Sequence, residues 1–135
     1  MPVQMKLSRI IISDIRADQA IYLKELEGDR QFSIVIGICE ASSIDRRVKG
    51  NYHPPRPQTY DLLVNIVDQL GAEPHSVLIS ELRNGTYYAQ LRLMHEGELI
   101  PIDARPSDAI AVAVTCNPNL PIYVAEEVLD EVVNS

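Results

Sequence analysis

Apolar and polar residues alternate through "MKLSRIIISDI" (5–15), "AIYLKEL" (20–26) and "QFSIVIG" (31–37), the period of two that sends successive side chains to opposite faces of a strand. "EGDR" reads as the turn into the third of these, so the chain opens with an antiparallel meander. The period then changes. In "ICEASSIDRRVKG" (38–50) Ile38, Ala41, Ile44 and Val48 fall at helical spacing, and Gly50 is placed to stop the helix. "NYHPPRPQ" (51–58) carries Pro54, Pro55 and Pro57, which remove donors and impose extended geometry on their predecessors, so it predicts a loop. "TYDLLVNIVDQLG" (59–71) predicts a helix capped by Thr59, with Asp61 in its first turn and Gly71 at its end. Its stripe of Leu62, Leu63, Ile66, Val67 and Leu70 is expected to be core.

Three antiparallel strands are predicted in "HSVLISELRNGTYYAQLRLMHEGELIPIDAR" (75–105), joined by the turns Asn84-Gly85 and Glu96-Gly97. Tyr87 and Tyr88 must then face opposite sides, with core packing the expected role. "PSDAIAVAVTCN" (106–117) is apolar almost all round, so it predicts a helix covered by the sheet on one side and by another element on the other. "LPIYVA" (120–125) reads as a last short strand and "EEVLDEVV" (126–133) as an amphipathic helix, whose opening Glu126 and Glu127 suit the helix dipole. There is no internal repeat and no low-complexity segment. This order of elements predicts an α+β fold, a single domain over 1–135 with a mostly antiparallel sheet and helices packed largely on one face.

A chain of 135 residues with 46% hydrophobic content can bury a core without disulfides. Cys39 and Cys116 lie among apolar neighbours, with no CxxC pair and no zinc-type spacing, which predicts buried free thiols and a reducing, cytoplasmic setting. No segment approaches the roughly 18 apolar residues that cross a bilayer, so no membrane association is expected. The net charge of −7 argues against non-specific attraction to nucleic acid, and any such contact must be local or bridged by metal. The densest basic cluster, "DRRVKG" (45–50), reads first as a solvated helix end whose cations suit the dipole.

"IDARPSDAIAVAV" followed by "PIYVAEEVL", together with "NGTYYAQLRL", "RPQTYDLL" and "IGICEA", resembles the bifunctional nuclease domain family over nearly the whole chain. The resemblance implies a compact α+β domain, a homodimer, and the DNase and RNase activity ascribed to some members. Function still has to be argued at the site, because one fold hosts many activities. In one place the chain departs from the family pattern: Tyr60 stands where members often carry histidine, so a general base there is not expected.

Phosphodiester hydrolysis needs an activated water and stabilisation of charge on phosphoryl oxygens, usually by divalent cations held by carboxylates with Arg or Lys assisting. Asp103 and Arg105, two apart on a strand, share a face, and Asp108 lies in the first turn of the next helix. His53, Arg56 and Asp61 come from the preceding loop and helix, and Glu40 begins another helix. The candidate catalytic set is therefore Asp103, Arg105, Asp108, Asp61, Arg56 and His53, and the candidate ligands for Mg²⁺ or Mn²⁺ are Asp103, Asp108, Asp61 and Glu40.

Each of these residues also has a plain structural role available. Asp108 is favoured at a helix start by roughly 0.3–1 kcal/mol from the dipole alone. Arg105 can pair with Asp103 or Asp61, and His53 can be an exposed loop histidine; His75 and His95, at strand boundaries, are expected to be structural or on the surface. HExxH, a Gly-rich phosphate loop and a D…ExK pattern are all missing. Two readings stay open: a nuclease acting on DNA, RNA or both, or a non-catalytic dimeric module that recognises a small anionic ligand or a protein partner. The corner "IDARPSDAI" is expected to serve both fold and function, with Arg105 between carboxylates and Asp103 or Asp108 facing a cleft. The apolar strands and the nearly wholly apolar helix of 107–116 predict a homodimer.

Overall fold

The computed structural model describes residues 1–13, 19–50 and 52–134. Strands β1 (Val3–Ile11), β2 (Gln19–Glu25) and β3 (Gln31–Ile36) lead into helices α1 (Ile38–Val48) and α2 (Thr59–Gln69). Strands β4 (Glu73–Arg83), β5 (Thr86–His95) and β6 (Glu98–Ala104) follow, then α3 (Pro106–Thr115), β7 (Ile122–Val124) and α4 (Glu126–Asn134). The end of the first expected strand, residues 14–15, lies outside the described residues.

All seven strands form one sheet in the order β3-β2-β1-β7-β4-β5-β6. Two antiparallel units, β1-β2-β3 and β4-β5-β6, are thus the meander and hairpins that the alternation predicts. The turns at Asn84-Gly85 and Glu96-Gly97 have φ of 51° and 78°, and of 50° and 80°, the left-handed pairs that match strand twist in two-residue hairpins. β7 joins the units, antiparallel to β1 and parallel to β4.

Alternation puts one side chain in two on the core face. Ile21 and Leu23 of β2, Phe32, Ile34 and Ile36 of β3, Val77 and Ile79 of β4, and Ile122 and Val124 of β7 are buried there. Apart from Asp108, α3 is buried from Pro106 through Val114, packed between β4 and β5 on one side and α1 and α2 on the other. That double cover is why its sequence is apolar nearly all round. α1 buries Ala41 and Ile44 and exposes Ile38 and Val48 at its ends, while α4 buries Val128 and Leu129. The α+β class with a mostly antiparallel sheet is as the sequence predicts.

Two expectations are corrected. The apolar stripe of α2 is not core: Leu62, Leu63, Ile66 and Leu70 are 54%, 42%, 46% and 72% exposed, and no residue of the helix is buried. α2 turns Tyr60, Val64 and Val67 inward instead, because it rests on the flank of α3 and not on the broad face of the sheet. The thiols are free, but Cys39 is exposed and Cys116 only half-buried, since both sit at helix ends.

Candidate functional site

The corner between β6 and α3 is built by Pro106. With its fixed φ it takes the first helical position, which leaves Arg105 extended at the cap (φ −71°, ψ 146°) and Asp108 in the first turn. Arg105 Nε donates to Asp108 Oδ2 at 2.9 Å, and Arg105 Nη2 stands 2.8 Å from the same oxygen. The other carboxylate oxygen, Oδ1, accepts from the Tyr60 hydroxyl at 2.8 Å. Glu40, in the first turn of α1, brings Oε1 to 3.6 Å from Arg105 Nη1. Its carboxylate folds back over Gly37, where a Cβ would stand 2.6 Å from Oε1. Three helices and one strand end thus contribute to a chain running Glu40, Arg105, Asp108, Tyr60.

Charge in this network is fixed by its surroundings. Burial, the hydrogen bond to Asp108 and the negative charges of Asp108 and Glu40 push the Tyr60 hydroxyl far above its ordinary range, so it remains a protonated donor. Arg105 is held still more firmly as a cation, first by its hydrogen bond to Asp108.

Beside the network lies an open cleft of about 890 Å³ between α1 and the start of α2, lined among others by Glu40, Ser43, Arg46, Arg56 and Tyr60. Among the described residues neither Arg46 nor Arg56 makes an ion pair, and Arg46 lies with its guanidinium 5.1 Å from the Tyr52 ring centre. A smaller, largely apolar groove of about 530 Å³ shares Thr59 and Tyr60 with the cleft and is bordered by Leu63, Ile102, Asp103 and Asp108.

The sequence-predicted residues divide accordingly. Glu40, Arg105 and Asp108 come together, and Arg56 lines the adjoining cleft. Asp103 borders the smaller groove without an ion pair among the described residues. Asp61 does not join them. It accepts from Arg47 at 2.7 Å and from the Gln58 N–H at 2.8 Å, closing the capping box of α2. Burial alone would raise its carboxyl, but those two hydrogen bonds and the Arg47 charge together hold it below the usual range. His53 is exposed and makes no hydrogen bond or ion pair among the described residues.

The proposed ligand set Asp103, Asp108, Asp61 and Glu40 is not assembled. Among the described residues no group of three His, Cys, Asp or Glu is close enough to hold a metal ion. For three of the four the physical reason is that guanidinium groups already occupy the carboxylate: Arg47 engages Asp61, and Arg105 engages Glu40 and Asp108.

Sequence reasoning missed Arg46, Arg47 and Tyr60 as site residues. The first was legible, because Glu40, Ser43 and Arg46 recur at three-residue spacing on one helix face. Of the remaining candidates, Tyr87 packs against Phe32 with ring centres 5.8 Å apart, while Tyr88 faces outward under Arg83. His75 is exposed with Nδ1 2.9 Å from Ser76 Oγ. Glu126 and Glu127 open α4, and Glu126 accepts from Arg30 at 3.1 Å.

A family model described as the bifunctional nuclease domain matches residues 21–135. An uncharacterized protein of Mycobacterium tuberculosis (strain CDC 1551 / Oshkosh) is 37% identical over 128 residues, which cover 91% of this chain and 74% of that protein. Bifunctional nuclease 1 of Arabidopsis thaliana is 32% identical over 116 residues, 84% of this chain and 35% of its own. Bifunctional nuclease 2 of Oryza sativa subsp. japonica is 33% identical over 108 residues, 78% of this chain and 33% of its own. The chain therefore spans about a third of the length of these plant relatives.

Proposed function

The chain belongs to the bifunctional nuclease domain family, and from that premise we propose that it hydrolyses phosphodiester bonds of nucleic acid in the cleft between α1 and α2. The observation that carries this reading is the pair Arg46 and Arg56, without carboxylate partners among the described residues, lining the same cleft as the Glu40 carboxylate. Guanidinium groups bind phosphoryl oxygens and stabilise the charge that develops on them. Glu40, oriented by Arg105, takes the proton of the attacking hydroxyl, from water or from an RNA 2′-OH. The oxygen–phosphorus bond to the leaving nucleoside breaks, and solvent protonates the departing oxygen. Asp108 and Tyr60 are positioning residues that hold Arg105 in place.

Among the described residues the carboxylates do not offer a three-ligand set for Mg²⁺ or Mn²⁺, and the proposed steps use none. Cleavage of labelled single-stranded RNA and DNA by the purified chain, with Mg²⁺, with Mn²⁺ and with EDTA, tests the activity and any recruitment of an ion by substrate. Glu40→Gln is expected to lose about 10²–10⁴-fold in rate, the range of a general base. Wild-type protein that cuts neither polymer under any of the three conditions refutes the enzyme and leaves the non-catalytic binding module.

The chain is further read as a homodimer that covers the α2 stripe. A two-fold interface sets a patch against its own copy, and Leu62, Leu63, Ile66 and Leu70 form an exposed patch that is uncharged and so suits self-contact. Among the described residues no helix is long and apolar enough to cross a membrane, and the free thiols agree with a cytoplasmic setting.

A further inference from the structure

The sheet face opposite the core is the other place where charge is concentrated. On β1, β2 and β7 the outward positions are those between the buried Met5, Ile21, Leu23, Ile122 and Val124. Lys6 stands directly opposite Lys24, and Arg9 stands opposite Tyr22 with its guanidinium 4.4 Å from the ring centre. Tyr123 of β7 has the Arg92 guanidinium 5.5 Å from its ring centre, reaching over from β5. In a chain of net charge −7, every charged side chain on the outward face of these three strands is a cation. The acids that share the face stand on β4, between β7 and β5, and on the edge strand β6; on β4 Glu81 is paired with Arg83 at 2.9 Å. Like charges directly opposite each other destabilise a sheet, so the Lys6–Lys24 pair has a cost that a polyanion would remove.

We propose that this open face, through Lys6, Arg9, Tyr22, Lys24, Arg92 and Tyr123, binds single-stranded nucleic acid on the side of the sheet away from the helices. The inference deepens the nuclease reading and rests on it for the fate of the strand, not for the binding. From β2 to β5 the track crosses four inter-strand steps, about 19 Å at the usual sheet spacing. Cations along it meet phosphates, while bases stack on tyrosine rings and on the guanidinium planes above them, a mode that tolerates any base sequence. A second copy of this chain fits the face poorly, because isologous contact would bring the lysines against one another.

The test is fluorescence anisotropy of a labelled phosphorothioate oligothymidylate, about 20 nucleotides long so as to exceed a single-domain site, titrated with the full chain. Affinity should fall steeply between about 50 and 200 mM salt. The double variant Lys6→Gln/Lys24→Gln should lower the slope of log K against log salt by about 1.4, two phosphate contacts at 0.7 each. Because Lys6 is exposed, Lys24 is partly so and the two repel, the variant should melt no lower than wild type, so its loss of binding cannot be unfolding. Equal affinity and slope in the two proteins would overturn the inference, as would a wild-type dimer that the double variant dissociates. An oligonucleotide that is bound with the expected slope while its natural-backbone counterpart is never cut upholds this face and removes the cleavage reading; cleavage together with unaltered binding in the variant does the reverse.

Discussion

Truncating Ile66 separates a helix that closes the core from one that closes an interface. Fully burying an isoleucine side chain contributes about 1.5–3 kcal/mol. Ile66 is 46% exposed in the single chain, so roughly half of that, about 0.7–1.5 kcal/mol, is left to be gained when something covers it. A two-fold interface contains the residue twice, which gives about 1.5–3 kcal/mol per dimer, or a factor of about 10–150 in Kd. Ile66→Ala is therefore expected to weaken self-association by one to two orders of magnitude while costing the folded subunit only about 1 kcal/mol. Ile44→Ala is the contrast. Ile44, on the inner face of α1, is fully buried, so its truncation should cost about 2–5 kcal/mol in folding and leave the dimer constant nearly unchanged. Sedimentation equilibrium across micromolar concentrations, alongside urea unfolding of the dilute proteins, measures both quantities. A wild-type chain that sediments only at 15.1 kDa would refute the reasoning, as would an Ile66→Ala dimer as tight as wild type.

Tyr60→Phe removes one of the three hydrogen-bond or ion-pair contacts of Asp108; with that side chain 34% exposed, water replaces part of the loss, and about 1 kcal/mol, a few degrees in Tm, is expected by thermal melting. Asp61 has a folded pKa below its unfolded value, so its contribution is present above about pH 4 and is lost as pH falls through the lowered folded value. Urea midpoints of Asp61→Asn should accordingly lie below wild type at neutral pH and converge with it in acid; curves that stay parallel would contradict this. With no three-carboxylate set among the described residues, Mg²⁺, Mn²⁺ or EDTA should leave Tm unchanged to within about 1 °C in the absence of nucleic acid, whereas a resident site at a hundredfold excess of ion would add about 2.7 kcal/mol.

Local rules carried the strands, both hairpin turns and the buried α3, because each depends on neighbours in sequence: alternation for the strands, Asn-Gly and Glu-Gly for the turns, an unbroken apolar run for the helix. They misplaced the α2 stripe, since periodicity identifies an apolar face without saying whether the same chain covers it. At the site, Arg105 and Asp108 are three residues apart and meet across the first turn of a helix, so that pair was legible. Glu40 and Tyr60 reach them only through the packing of α1 and α2 on α3, a contact between segments 45 or more residues apart that no spacing encodes. Asp61 failed as a ligand for a related reason: its partner Arg47 lies on another helix, and the capping geometry that fixes its carboxylate is shared with many purely structural aspartates.

The three residues of β7 give the fold an order of assembly. Each half of the sheet pairs within itself, but Ile122–Val124 is the strand that lies between β1 and β4, and it follows every other strand in the chain. During synthesis both halves can be complete while the seam between them is empty, with β1 and β4 presenting unpaired edges that invite pairing with other chains. The sheet becomes continuous only when β7 leaves the ribosome and slides into place, so nascent chains stalled just before Ile122 should be cut by protease and captured by holdase chaperones, and the released chain should resist both.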